Sequence, residues 1–239
     1  MKEILYFQQS LYQYSAIFKS FDLGASWTMV LKLTGSSNAR IYDIAGFNGK
    51  YFVAVTDKGF IYTSSNYGSS FARRSSLPAN LFGVFICSSS GVALAVGVSN
   101  SSSGRPAIFR ASNSSGYTSW SAASLSSQAQ SLSGQLNGVS GSSDGLFAVA
   151  VGSKGSLFTL TLTQSLGQGV WQYSSAASSL CGSTTTLYGV SVVQSTTSSS
   201  VRSLLLNSRK HFLFFKDLFF FTFICSLLYY CILILLLID

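Results

Sequence analysis

The chain has 239 residues and a net charge of +8, yet only 9% of it is Asp, Glu, Lys or Arg, against about 25% in an ordinary soluble domain. That length suits one domain, and a hydrophobic share of 47% is enough to bury a core. The basic residues form neither a run nor a helical stripe. This excludes a nucleic-acid-binding signature and leaves a diffuse positive surface suited to an acidic partner or an anionic membrane.

Residues 1–15 have too short an apolar run, and no small-residue cleavage site, for a secretory signal. From residue 16 onward the chain is built of short apolar runs bounded by Gly, Ser or Asn, which is the pattern of strands and turns. These runs recur. A first unit reads DIAGF (Asp43–Phe47), GVFIC (Gly83–Cys87), GVSGS (Gly138–Ser142) and GVSVV (Gly189–Val193). A second reads YFVAVTDKG (Tyr51–Gly59), VALAVGVS (Val92–Ser99) and LFAVAVGSKG (Leu146–Gly155). A third reads FIYTSS (Phe60–Ser65), AIFRAS (Ala107–Ser112) and LFTLTL (Leu157–Leu162), with an earlier copy AIFKS at Ala16–Ser20. A fourth opens on an aromatic residue: Trp27, Phe71, Trp120 and Trp171.

Four short strands in roughly 40–55 residues is the period of a β-propeller blade. The fold class expected is therefore all-β, with about four propeller blades over residues 1–201, an incomplete propeller that the chain enters at the third strand of its first blade. Complete blades are expected near residues 40–76, 81–124 and 136–175, and a fifth begins at Leu187 and fades after Val201. Ala54, Ala95 and Ala150 share one place in the second strand, where a small residue suits a crowded contact between blades.

Composition changes near residue 202. Residues 202–217, with Arg202, Arg209, Lys210 and Lys216, are expected to be a basic linker. Residues 218–238 carry no charge and, at about 1.5 Å per residue, are long enough for a single apolar helix to cross a roughly 30 Å hydrocarbon core. They are read as a candidate transmembrane helix or as a gene-model artefact that replaces the true C-terminus. If the helix is genuine, the basic flank keeps the propeller on the cytosolic or stromal side, attached to a membrane.

The turn between the third and fourth units of the first blade is SFDLGASW, Ser20–Trp27, the Asp-box pattern S-x-D-x-G-x-x-W. Ser20, Asp22, Gly24 and Trp27 fill its fixed places. The next blade has the relaxed copy SSNYGSSF, in which Ser64, Asn66, Gly68 and Phe71 take those places. Later copies, SNSSGYTSW (Ser112–Trp120) and SLGQGVW (Ser165–Trp171), are degenerate. Each residue type has a structural task. Asp or Asn accepts N–H groups of its own turn, Gly supplies positive φ, and the aromatic ring anchors the hairpin against the blade.

With the V-A-V-x-x-x-G phrase that precedes them, these turns make residues 10–195 resemble Asp-box (BNR-like) propellers, closest in style to the photosystem II stability/assembly factor family. The resemblance implies a seven-bladed, non-enzymatic chaperone whose protein partner is a photosystem II reaction-centre subunit, with a plastid or thylakoid location. The same repeat occurs in sialidases, lectin-like propellers, xyloglucan-degrading hydrolases and sortilin-type receptor ectodomains, which stand as alternatives. Against hydrolases, Glu3 is the only glutamate, while glycosidases need two carboxylates across the scissile bond. Asp57 and Asp144 lie in Gly-flanked hairpins, where Asp forms turns; Asp43 is free to start a strand facing the channel.

No catalytic residue, cofactor or metal site is expected. His211 is the only histidine, the glycines lie in hairpins, and Cys87, Cys181, Cys225 and Cys231 match no C-x-x-C pattern. Arg73 and Arg74, the one basic doublet on a blade, are the candidates for partner contact.

Overall fold

The computed structural model describes residues 5–11, 14–34, 39–161, 169–175, 179, 183–194, 201–208 and 212–216. The described strands form five antiparallel sheets in chain order. The first holds β1 (Leu5–Leu11), β2 (Tyr14–Ser20) and β3 (Thr28–Thr34); the second holds β4 (Ile41–Phe47), β5 (Tyr51–Thr56), β6 (Phe60–Ser64) and β7 (Ala72–Ser76). The third holds β8 (Ala79–Ile86), β9 (Ala93–Ser99), β10 (Pro106–Ala111) and β11 (Ser121–Ala122). The fourth holds β13 (Leu136–Gly141), β14 (Phe147–Gly152), β15 (Leu157–Thr161) and β16 (Val170–Tyr173), and β12 (Ser124–Leu125) adds a short parallel pairing outside β16. The fifth holds β17 (Leu187–Gln194), β18 (Val201–Ser208) and β19 (Phe212–Lys216).

Apart from β12, every sheet is a meander of neighbouring strands, and the first strands β4, β8, β13 and β17 pack side by side in sequence. Four-stranded sheets stacked face to face around their first strands are propeller blades. The alternation along β5, β9 and β14 shows how the faces are used. Val53 and Val55 enter the core between sheets two and three, and Ala54 enters the core between sheets one and two. Likewise Leu94 and Val96 face forward and Ala95 backward, while Val149 and Val151 face forward and Ala150 backward. Each blade thus offers alanine to the blade before it and a larger residue to the blade after it, so the faces interdigitate.

Three features depart from the sequence reading. The first sheet contains β1, in the second-strand place, so the chain enters its first blade one strand earlier than expected. The fifth sheet does not fade after Val201. Residues 201–208 and 212–216 are strands, laddered antiparallel onto β17 and onto each other, in place of a basic linker over 202–217. The physical reason is that the basic residues of this stretch flank two short apolar runs, SLLLN and FLFF, long enough to continue a ladder already started by β17. Residues 218–238 lie outside the described residues. The α-helix Ser127–Ser131 is a single turn capped by the Ser126 hydroxyl, and among the described residues no helix is long and apolar enough to cross a membrane.

Candidate functional site

Two sets of residues stand out: the hairpin turns between third and fourth strands, and the strand edges that surround the propeller axis. In the first turn the Ser20 hydroxyl donates to Asp22 Oδ1 at 2.8 Å and accepts the Gly24 N–H at 2.8 Å. Asp22 Oδ1 accepts the Ser26 N–H at 2.8 Å and Oδ2 accepts the Ser26 hydroxyl at 2.6 Å. The Ser26 hydroxyl and N–H, followed by Ser20, hold the exposed Asp22 carboxyl down at about 2. The second turn repeats this network with an amide: Ser64 donates to Asn66 Oδ1 at 2.8 Å, Gly68 N–H reaches Ser64 Oγ at 3.0 Å, and Ser70 N–H reaches Asn66 Oδ1 at 3.1 Å. Both turns need left-handed backbone at two successive residues, Leu23 and Gly24 in one and Tyr67 and Gly68 in the other. These residues are occupied in shaping hairpins.

The aromatic residue that ends each turn behaves less uniformly than the sequence pattern implies. Trp171 is 1% exposed in the core between sheets three and four. Trp120 packs into the core between sheets two and three, and Phe71 into that between one and two. The ring of each blade is therefore covered by the preceding blade. Trp27, in the first described sheet, is 42% exposed, with its indole N–H donated to Gly24 O at 3.0 Å. Of the fourth turn, residues 162–168 lie outside the described residues. Arg73 and Arg74 are both exposed on β7, without the in–out alternation expected of a doublet. The Arg73 guanidinium lies 4.7 Å from the centre of the Phe60 ring, a cation–π contact.

The axis is the candidate site that the sequence reading missed. Each first strand carries a bulge at the same place, where the ladder with the second strand shifts register: between Ile41 and Asp43, Leu81 and Gly83, Leu136 and Gly138, and Leu187 and Gly189. The residues skipped are Tyr42, Phe82, Asn137 and Tyr188. A bulge re-aims the side chain it lifts from the ladder, and four equivalent bulges on neighbouring first strands bring these four to one level of the axis. The Tyr42 and Phe82 rings meet edge to face at 4.9 Å. Tyr42 and Tyr188 are each exposed. The signal was present as an aromatic residue or Asn just before the Asp or Gly of each first unit: YD, FG, NG and YG.

Side chains of one first strand, Asn137 of the ring among them, also satisfy the channel-side backbone of the next. Asp43 Oδ1 accepts its neighbour's Ile44 N–H at 2.8 Å, and Oδ2 accepts the Val84 N–H of β8 at 2.9 Å. Asn137 Nδ2 donates to Leu187 O of β17 at 2.8 Å, and Ser140 Oγ accepts the Val192 N–H at 3.1 Å. These bonds cover an inner edge that has no further strand to pair with. Burial pushes the Asp43 carboxyl up to about 6, against the opposing effect of the Val84 and Ile44 N–H groups. The other acids described in the blades are held by the backbone too: Asp57 Oδ1 accepts the Arg40 N–H at 2.8 Å, and Asp144 Oδ1 accepts the Leu146 N–H at 2.9 Å and the Ser142 hydroxyl at 2.5 Å. Among the described residues, no three His, Cys, Asp or Glu side chains gather to hold a metal ion.

Comparison with solved structures places this architecture. YCF48 bound to D1 peptide superposes with a TM-score of 0.55 at 16% identity, over 88% of this chain and 68% of that one. YCF48 from Cyanidioschyzon merolae gives 0.52 at 14% identity, over 81% and 58%. The GH74 xyloglucanase from Xanthomonas campestris gives 0.61 at 16% identity, over 90% and 35%. What is shared is the β-propeller. At these identities the likeness is one of fold, and it spans an assembly factor and a hydrolase alike. The chain matches about two thirds of one YCF48 structure and less of the other. No family model matches the sequence, and no curated protein does.

Proposed function

We propose that the chain is a non-enzymatic propeller that binds another protein, in the manner of a photosystem II assembly factor, and that the axial ring of Tyr42, Phe82, Asn137 and Tyr188 receives the partner's polypeptide. One observation carries this reading. The repeat directs aromatic side chains to the axis, whereas Asp22, Asp43, Asp57 and Asp144 are each held by backbone N–H groups of a turn or a neighbouring strand. Exposed tyrosines beside amide groups make large contact area at low entropic cost, as protein-binding surfaces do. A glycosidase needs a general acid and a second carboxylate that face a sugar, and carboxylates held in turns are poorly placed for that work. The solved likeness to YCF48 bound to D1 peptide supports a reaction-centre polypeptide as the first partner to try.

The test is fluorescence anisotropy of a labelled D1 peptide titrated with the full chain. Saturable binding weakened at least tenfold by Y42A/Y188A is the expected result. Saturable binding untouched by that double variant moves the site away from the axis, and turnover of xyloglucan or sialylated glycan by the chain overturns the non-enzymatic reading.

A further inference from the structure

Arg73 and Arg74 belong neither to the axial ring nor to the hairpin turns, and the strand that carries them is locally bent. Along β7 the ladder with β6 shifts register between the pairs Ile61–Ser75 and Tyr62–Arg73, so Arg74 is the residue that the ladder skips. This bulge is why the doublet does not alternate: both arginines are exposed on the outer strand of the blade. Ser76 closes the strand and is exposed as well. Its neighbours are engaged elsewhere. The Ser75 hydroxyl donates to Thr118 O at 2.8 Å, and Leu77 packs against the core between sheets two and three. Ser76 stands opposite Phe60, and the Leu77 N–H is donated to Gly59 O at 2.9 Å. In an antiparallel ladder that makes Phe60–Ser76 a pair without mutual hydrogen bonds, so the Ser76 N–H and C=O point away from β6. Since β7 ends its sheet, these groups lie along the open edge.

We infer that Ser76 is a phosphorylation site for a basophilic serine kinase, one that selects serine by the arginines before it. Of all the serines in this serine-rich chain, Ser76 alone has arginine at both the third and the second preceding positions. Such a kinase holds its substrate extended and reads the guanidinium groups with carboxylates, a pairing that arginine suits by its planar fork of donors. The edge of the blade presents what that recognition uses: an extended segment, two exposed arginines, outward-facing backbone and an exposed acceptor hydroxyl. ATP is the co-reactant. Ser76 Oγ attacks the γ-phosphorus, an Oγ–P bond forms, and the bond from that phosphorus to the β–γ bridging oxygen breaks. ADP leaves, and the hydroxyl proton passes to the catalytic carboxylate of the kinase. The phosphoryl group carries about −1.5 to −2 charges at pH 7, enough to cancel the doublet, so the modification removes the one basic pair on a blade. This site is separate from the axial ring and independent of the partner proposed there.

The experiment incubates the folded full chain with ATP and the catalytic subunit of cyclic-AMP-dependent protein kinase. Intact mass counts the phosphates, and peptide mass spectrometry locates them. The expected result is one phosphate at Ser76, kept in S75A, lost in S76A, and added at least tenfold more slowly to R73A/R74A. These substitutions lie on an outer strand, and circular dichroism checks that each variant keeps the fold. A synthetic peptide of residues 70–80 runs alongside as the unfolded reference. Phosphate on the peptide but not on the folded chain overturns the inference, because the blade then conceals the site. Phosphate placed on another serine overturns it as well. So does a rate unchanged in R73A/R74A, which would leave the doublet as a charged guard of an open sheet edge.

Discussion

Trp27 and Trp171 hold the same place in the repeat, yet one is 42% and the other 1% exposed, and this difference sets a quantitative test of how the blades cohere. A tryptophan exposes about 250 Å². The difference in cover therefore amounts to roughly 100 Å² of surface, or about 2.6 kcal/mol at about 25 cal/mol per Å². Trp171 shares the core between sheets three and four with Leu94, Val96, Ile108 and Phe158 among others and is fully buried, so truncation there also leaves a cavity that raises the cost. Trp171→Ala should thus lose about 3–5 kcal/mol, and Trp27→Ala should lose roughly 2–3 kcal/mol less. Urea unfolding followed by far-ultraviolet circular dichroism reads both without depending on the fluorophore that is removed. Equal losses for the two variants would refute the reasoning, because the ring would then stabilise only its own hairpin and the preceding sheet would contribute nothing.

Three further outcomes follow from named contacts. Asp22→Asn should leave the thermal midpoint nearly unchanged, since Asn66 already makes the equivalent bonds, whereas Ser20→Ala removes a buried hydroxyl from the Gly24 N–H and should cost about 1–2 kcal/mol by calorimetry. Gly152→Ala places a Cβ 1.9 Å from Gln135 O, so β13 and β14 must separate, at a loss of about 1–3 kcal/mol in urea midpoint stability. Asp43 has its carboxyl raised to about 6 in the fold from 3.8. Its contribution to stability is full below the unfolded value and is lost as pH rises through the folded one, so stability should increase by about 1 kcal/mol from pH 7 to pH 5. Chemical denaturation at both pH values checks this, with Asp43→Asn as the variant that removes the increment.

Much of the fold was legible because a blade is local. Each hairpin joins strands adjacent in sequence, and the alternation of YFVAVT, ALAVGVS and FAVAVG reports a face pattern that depends on nothing distant. The alanines at positions 54, 95 and 150 could be assigned to blade contacts for the same reason. The turn residues were equally readable: Ser20, Asp22 and Gly24 bond within five residues of one another. Trp27 was misjudged because its cover is not local. Whether the ring at the end of a turn is buried depends on the neighbouring sheet, and the same motif gives an enclosed side chain in one blade and an exposed one in another. The stretch after Val201 was misread for the opposite reason, since charge content was weighed above the short apolar runs between the charges.

The axial ring was invisible for a geometric reason. In the sequence its members are separated by whole blades, and none belongs to the apolar pattern that defines a strand. Their shared cause is the residue that follows each of them. At Gly83 an added Cβ would sit 3.0 Å from Asn137 O, and at Gly138 it would sit 3.1 Å from Gly189 Cα, so the first strands pass one another tightly there and a side chain would press on the neighbouring backbone. Keeping that approach while the second strand stays in register requires one extra residue, which is the bulge. The extra residue is expelled toward the axis. Asp43 departs from glycine at this place and shows the rule by its exception: its carboxylate fills the gap and bonds the Val84 N–H across it. Close packing of first strands thus makes a bulge, the bulge makes a channel-facing side chain, and the repeat turns one such side chain into a ring. The surface proposed for recognition arises here from a packing constraint, which is why it has to be read from the residue before the glycine and not from any motif of its own.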